Sequence, residues 1–319
     1  MSGLKLNLSV DCSGDRIDLF LTKKFPNFSR SKIQKYIKDG TIRVGGDKVK
    51  PSWILSEGEK LIGNINPEPQ HELEPENIPL DILYEDDHLI IINKNSGLVV
   101  HPGNGIKNGT LVNALLFHFK KLSYLDYTRP GIVHRLDKDT TGVILVAKSE
   151  DMHRKMAKLF ENRELTKIYK AIIWGKPKDR DSITTNICRN PAVRTLFTTS
   201  QTKGKKAHTI YELDSYYCPL SVVSVGLKTG RTHQIRVHMK SIGNPIICDD
   251  DYSGGQNRIK SFHPKYNQKL TKVFKLINRV ALHSELLEFI HPVSGENIKV
   301  IAPIPEDMKN VISLLKKYD

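Results

Sequence analysis

The stretch GIVHRLDKDTTGVILVAK, residues Gly131 to Lys148, sets a polar cluster between two apolar runs. Ile132 and Val133 lead into it, and Val143, Ile144, Leu145, Val146 and Ala147 lead out, so each flank predicts a strand rich in β-branched residues. Between them HRLDKDTTG reads as a turn, and turns held by rigid strands are where binding and catalytic side chains are displayed. Asp137 and Asp139 allow three readings: a carboxylate pair for magnesium, an ionised nucleophile, or acceptors for backbone N–H groups in the turn. The last suits Asp139, which Thr140, Thr141 and Gly142 follow. Asp137 differs because it follows Arg135 and Leu136, and a nearby guanidinium favours the charged carboxylate that a nucleophile needs.

Further strand-like runs cover Leu89–Ile92, Ile168–Trp174, Ser221–Leu227 and Ile298–Ile301. Helical spacing marks 111–120, 151–161, 232–241 and 308–317. Strands and helices do not alternate strictly, which argues for an α+β fold with a mixed sheet rather than a doubly wound parallel one. With 319 residues and 39% hydrophobic content the chain predicts more than one domain. The acidic, proline-bearing run from Asn66 to Pro79 reads as a linker, which divides the chain into 1–65, 66–79 and 80–319.

Before the linker, Ile17, Phe20 and Leu21 after Asp15, and Ile33, Tyr36 and Ile37 after Ser29, predict two short helices, with Gly40 as the stop. TIRVGGDKVK then reads as strand, Gly-Gly-Asp turn and strand. Arg30, Lys32, Lys35 and Lys38 occupy the polar face of the second helix. They read either as a solvated surface or as an RNA contact.

The net charge is +14, and residues 61–93 carry eight acids and no Lys or Arg, which leaves +22 on the rest. A polyanionic partner fits that distribution, as does simple solubility. Seven basic residues and no acid between Ser253 and Ser284 suggest a mobile, RNA-gripping arm. No long apolar window or signal segment is evident, so the expectation is a cytoplasmic protein without membrane association. The four cysteines, Cys12, Cys188, Cys218 and Cys248, form no close pair, which argues against a disulfide framework or a zinc site.

Two other segments hold candidates for chemistry. In VGLKTGRTHQIRVHMKSIG, Arg231 precedes a helix that Thr232 can cap and whose inner face is Ile235, Met239 and Ile242; it reads as an anion-binding residue or an ordinary exposed Arg. In TKIYKAIIWGK, Tyr169 shares a strand face with Ala171 and Ile173, where it is core unless that face borders a site. His101 and His134 have no second ligand at a recognisable spacing and read as structural or substrate-framing.

GIVHRLDKDTTGVILVAK, KIYKAIIWG, KTGRTHQIRVHM and ALHSELLEFIHPVSGE occur in an order that resembles the pseudouridine synthases of the large-subunit ribosomal RNA class. FSRSKIQKYIKDGTIRVGGDKVKPSWILSEGEKL resembles the alpha-L RNA-binding motif. The resemblance implies a pseudouridine synthase fold, with a largely antiparallel mixed sheet and a small N-terminal alpha-L domain. It implies that Asp137 is the nucleophile that lets the C1′–N1 bond of a uridine break, with re-attachment through C5. Tyr169 would pack on the base and take the C5 proton, Arg231 would pair with Asp137, and Arg135 would enter the RNA where the base had been. Substrate and product are isomers, so no cofactor and no metal are expected.

The implied partner is large-subunit ribosomal RNA or a pre-ribosomal particle, with transfer RNA as an alternative, and a monomer is the simplest assembly. Competing functions are a non-catalytic assembly factor and a magnesium-dependent nuclease or phosphotransferase using Asp137 and Asp139. Cys248 stands where the family generally has glycine, Asn244 where histidine is common and Asn95 where proline is common.

Overall fold

The computed structural model describes residues 4–11, 13–25, 28, 30–65, 73–103 and 105–318. The chain divides into two compact units, Met1–Glu72 and Leu73–Asp319.

In the first unit β1 (Leu4–Ser9), α1 (Ile17–Lys24), α2 (Arg30–Asp39), β2 (Ile42–Val44) and β3 (Lys60–Ile65) follow in order. The sheet runs β1-β3-β2, with both neighbours antiparallel to β3. Ile17, Phe20 and Leu21 of α1 and Ile33 and Ile37 of α2 meet Ile42 and Leu61 in one buried core, so the apolar spacing closes as expected. Gly40 ends α2 at φ +85°, a left-handed position that glycine takes without Cβ strain. The sequence misleads in one respect. After the Gly45-Gly46 turn the chain does not form a second hairpin strand at Lys48–Lys50, and β2 pairs instead with β3.

The second unit contains β4 (Ile82–Glu85), β5 (Leu89–Lys94), α3 (Leu111–His118), β6 (Thr141–Ala147), α4 (Glu150–Asn162), β7 (Thr166–Trp174) and β8 (Arg180–Arg189). It continues through β9 (Phe197–Ser200), β10 (Lys205–Tyr217), β11 (Leu220–Leu227), α5 (Gln234–Ser241), α6 (Asn267–Leu276), β12 (Leu282–Ile290), β13 (Asn297–Ile301) and α7 (Glu306–Lys317). One ten-stranded sheet runs β4-β5-β6-β12-β7-β11-β10-β8-β9, with β13 paired to β12. Every pairing is antiparallel except β6 with β12, which is parallel and two residue pairs long.

The continuous apolar runs of β5 and β6 arise because both faces of these strands are covered. Ile90, Ile92, Ile144 and Val146 face the core shared with α3, α5, α6 and α7, whereas Leu89, Ile91, Val143 and Leu145 face the core shared with α4 and β13. Gly131–Val133 is not a strand; only Ile132 bridges to Val146.

Two expectations meet a packed structure instead of a loose one. Residues 66–72 lie outside the described residues, but 73–79 are fastened to the second unit: Asn113 Nδ2 donates to Glu74 O at 2.7 Å and Gly109 N–H to Glu76 Oε1 at 2.8 Å. The basic run from Ser253 is likewise no free arm. It forms short 3-10 turns, α6 and the entry to β12, with Leu270 and Val273 fully buried. Phe262 stacks on the buried Trp174 ring with centroids 5.0 Å apart.

Candidate active site

Asp137 sits in a tight turn that enters β6. Thr140 N–H donates to Asp137 O at 3.1 Å, so a backbone bond closes the turn, and no hydrogen bond to the Asp139 carboxylate occurs among the described residues. The next two carbonyls are also held. Lys138 O accepts from Gly97 N–H at 3.1 Å and from Lys94 Nζ at 2.9 Å, and Asp139 O accepts from Arg279 Nη1 at 3.2 Å.

Lys94 is 1% exposed and also donates to Asn95 O and Leu98 O; burial pushes its pKa down to about 7, against the attraction of Asp139 and Asp137. Arg279 in turn is clamped by both oxygens of Asp307 at 2.6 and 2.8 Å, which ties α7 to the turn. At Gly142 the two parallel strands approach so closely that a Cβ would lie 2.1 Å from Ser284 O, and φ is +104°. Only glycine fits there.

The ion-pair partner of Asp137 is Arg236, not Arg231. Arg236 Nη1 lies 3.5 Å from Asp137 Oδ2. Arg231 is exposed and its Nε donates to Lys206 O at 3.2 Å. The helix explains the difference, because α5 begins only at Gln234, leaving Arg231 in the preceding turn and putting Arg236 in its first turn. Thr232 does not cap it; His233 is the N-cap residue, and it makes no side-chain cap bond. Ile242, expected on the inner face, is the C-cap and is 37% exposed.

Arg236 is aimed by acids from the loop that follows. Its Nε and Nη2 each bond the fully buried Asp249 at 2.8 Å, and Nη2 also meets Asp251 at 3.0 Å. His233 stands on the other side of the carboxylate, Nε2 lying 3.9 Å from Asp137 Oδ1. Its backbone is left-handed at φ +55°, an uncommon state for a residue with a Cβ and one that concentrates at functional sites.

Tyr252 supports both groups: its hydroxyl bonds His233 Nδ1 at 2.8 Å and accepts from Phe197 N–H at 3.0 Å, and its ring lies 4.8 Å from the Arg236 guanidinium. Since the hydroxyl accepts from Phe197, its own proton is free to go to Nδ1, which leaves the His233 proton on Nε2, facing Asp137. Burial lowers the His233 pKa, against the pull of Asp137, so the ring is favoured in this neutral form.

Tyr169 lies on β7, buried at 7% exposure within the main core and paired in register with Ser284. Burial pushes its hydroxyl up to about 12; the Ser284 side chain opposes that rise and the Asp137 charge adds to it, so phenol and carboxylate share one neighbourhood. A phenol so held keeps its proton at neutral pH. Arg135 is exposed beside the turn. His134 accepts from Leu145 N–H at 2.9 Å and stacks on Phe160, and burial depresses it to about 3, so it is a structural histidine. His101 is pushed down to about 4 by burial and by Arg135 and Arg129.

Among the described residues no group of three His, Cys, Asp or Glu side chains could hold a metal ion, and no helix is long and apolar enough to cross a membrane. Cys188, Cys218 and Cys248 are free and only partly buried, and Cys12 lies outside the described residues. Cys248 adopts φ +59°, a conformation glycine takes without strain. Asn244 Nδ2 donates to Trp174 O at 2.8 Å.

In the first unit the basic residues of α2 divide. Arg30 is committed to the buried Asp18, with its Nη2 at 2.9 Å, and Lys32 lies over the rings of Phe28 and Tyr36. Lys35 and Lys38 are exposed, and Lys38 lines a groove of about 560 Å³ together with Arg16, Gln34, Lys48 and Lys50.

The site joins a partly exposed carboxylate at a strand end to an arginine aimed at it, in a chain that also carries a separate small basic unit. Residues 88–241 match the RNA pseudouridylate synthase family and residues 15–61 the S4 domain. The chain is 41% identical to a protein of Aquifex aeolicus (strain VF5) named "Uncharacterized RNA pseudouridine synthase", over 98% of both chains. It therefore belongs to the RNA pseudouridine synthases, isomerases that act on RNA. It is also 38% identical to the ribosomal large subunit pseudouridine synthase D of Escherichia coli (strain K12), over 98% of this chain and 94% of that one. Human RNA pseudouridylate synthase domain containing 4 superposes with a TM-score of 0.57 at 25% identity, covering 74% of this chain and 93% of that chain.

Proposed function

We propose that the chain isomerises uridine to pseudouridine in large-subunit ribosomal RNA, with Asp137 as nucleophile and without a cofactor. The observation that carries this reading is the Asp137 carboxylate, 23% exposed at the end of a rigid strand, with Arg236 and His233 at 3.5 and 3.9 Å. Neither contact is a short hydrogen bond, so the lone pairs stay available for attack.

In the reaction the Asp137 carboxylate bonds C1′ as the C1′–N1 bond breaks, and the uracil leaves as an anion. The uracil rotates, C5 attacks C1′ and expels the Asp137 carboxylate, the C5 proton leaves and N1 gains a proton, so atoms and charge balance. Arg236, fixed by Asp249 and Asp251, keeps the carboxylate oriented through the cycle, and Tyr169 packs against the ring. A base in a duplex must leave its stack to reach Asp137, and the exposed Arg135 is placed to fill the gap. Lys35 and Lys38, with the basic groove beside them, supply sequence-independent attraction to phosphates. The names of relatives such as synthase D support large-subunit ribosomal RNA as the substrate.

The test is tritium release from RNA labelled at uridine C5, with a chelator present throughout. Wild-type protein is expected to release tritium from large-subunit ribosomal RNA, and Asp137→Asn to bind the same RNA and release none. Release confined to transfer RNA would move the substrate; binding without release by the wild type would replace the enzyme with an assembly factor. Activity that vanishes only with the chelator would favour the metal-dependent reading.

A further inference from the structure

Tyr124 and Tyr127 are 41% and 58% exposed, with Leu125 between them at 44%. Single exposed apolar residues are ordinary, but these lie together in one short loop held at its base by backbone bonds. Its base is woven into the Ala147 end of β6, opposite the end that Asp137 enters: Gly131 N–H donates to Ser123 O at 2.7 Å, Ser123 N–H to Ala147 O at 3.1 Å, and Ala147 N–H to Gly131 O at 2.8 Å. Its interior is organised by Asp126, which accepts from Thr128 N–H at 2.9 Å, Thr128 Oγ1 at 2.6 Å and Arg129 Nε at 2.5 Å. The two tyrosine rings are 6.0 Å apart and tilted by 42°, so they brace each other without covering each other's faces.

The loop runs directly into the HRLD turn. Gly131 and Asp137 are six residues apart, at most about 20 Å. Arg129, Asp126 and Arg135 all act on His101, which places the loop's end and the exposed Arg135 in one neighbourhood. Arg129 is neutralised by Asp126, whereas among the described residues no carboxylate pairs with Arg135. Stiff aromatic faces beside an unpaired guanidinium match a nucleic acid strand, whose bases stack while its phosphates attract charge.

We propose that Tyr124 and Tyr127 form a stacking platform for unpaired bases flanking the target uridine. The proposal rests on RNA being isomerised at Asp137. Flipping one base unstacks its neighbours, and a preformed aromatic surface whose base lies within about 20 Å of Asp137 offers bases further along the strand a replacement stack.

Kinetics of tritium release and equilibrium binding on full-length large-subunit ribosomal RNA test this with two double variants, Tyr124→Ala/Tyr127→Ala and Tyr124→Phe/Tyr127→Phe. The alanine pair is expected to raise KM and Kd by about tenfold for each base that loses its stack. It should leave kcat, melting temperature and the salt dependence of binding unchanged, because stacking releases no counterions. The phenylalanine pair should match the wild type. Unchanged KM and Kd in the alanine pair, equal defects in both pairs, or a defect accompanied by a changed salt slope or lower melting temperature would overturn the platform. Wild-type protein that releases no tritium overturns the reading at Asp137 instead, and weaker binding by the alanine pair alone would still support the platform.

Discussion

Each unit of the molecule holds an aspartate between basic side chains, and the two are built for opposite ends. Asp18 is fully buried and takes five hydrogen bonds from the described residues: two from Arg16 at 3.0 and 3.1 Å, two from Arg30 at 3.0 and 2.9 Å, and one from Gln34 at 2.6 Å. Burial pushes its pKa up, and the bonds from Arg16, Gln34 and Arg30 outweigh burial and bring it down to about 2. Asp137 has an arginine too, but that arginine spends its short bonds on Asp249 and Asp251 and reaches Asp137 only at 3.5 Å. A saturated carboxylate is a structural joint; one steered from a distance keeps lone pairs for chemistry. What separates them is where the guanidinium's short bonds go.

The largest effect that would break this contrast comes from Arg236→Met. It removes the charge at Asp137 and strands the buried Asp249, so kcat for tritium release should fall about 10²–10³-fold and stability by about 3 kcal/mol. A variant that stays fully active would make Arg236 a structural joint like Arg30. Asp18→Ala acts in the other unit: hydrogen exchange should show α1 and α2 opening about 2–3 kcal/mol more easily, with α4 unchanged.

Acid gives the same information without mutation. The folded pKa of Asp18, about 2, lies below its ordinary value of 3.8, so its contribution is fully present above that value and is lost as pH falls towards 2. Exchange protection of α1 and α2 should therefore persist at pH 5 and decline below pH 4, and a decline already complete at pH 5 would refute the assignment.

Tyr252→Phe sharpens the contrast further. It keeps the ring under Arg236 but leaves His233 Nδ1 and Phe197 N–H without their partner, a loss of about tenfold in kcat. The smallest effect belongs to Arg231→Ala. An exposed side chain bonded to one carbonyl should change kcat at saturating RNA by no more than about twofold, and a large loss would restore Arg231 to the site.

Much of the catalytic unit was legible because burial on two faces writes itself as unbroken apolar runs, as in β5 and β6. The polar turn before β6 stood out because charge seldom breaks an apolar run, although only its Val143–Ala147 flank proved to be a strand. The partner arginine was misread because the KTGRTHQIR segment offers two, and only the helix start at Gln234 decides which one points inward. Lys94 and Arg279 were hidden for a related reason. Each ends or precedes an apolar stretch and looks like a surface charge, and its burial depends on carbonyls contributed by Lys138 and Asp139, far away in sequence. The basic run after Ser253 looked mobile because it carries seven basic residues and no acid, yet Leu270, Val273 and Phe262 suffice to pin it.

The two-residue crossing of β6 and β12 also sets an order in time. The turn that carries Asp137 borrows its shape from Ser284 across the bare Gly142, from Arg279 behind Asp139 and from Asp307 behind Arg279. These supports are made roughly 140 to 170 residues after Asp137, and long-range strand pairing of this kind must await both partners. During synthesis Asp137 thus emerges without its scaffold and acquires it only after residues 279 to 307 have followed. A nascent enzyme extending from a ribosome, surrounded by the class of molecule it modifies, lacks a shaped site until those later segments have been made.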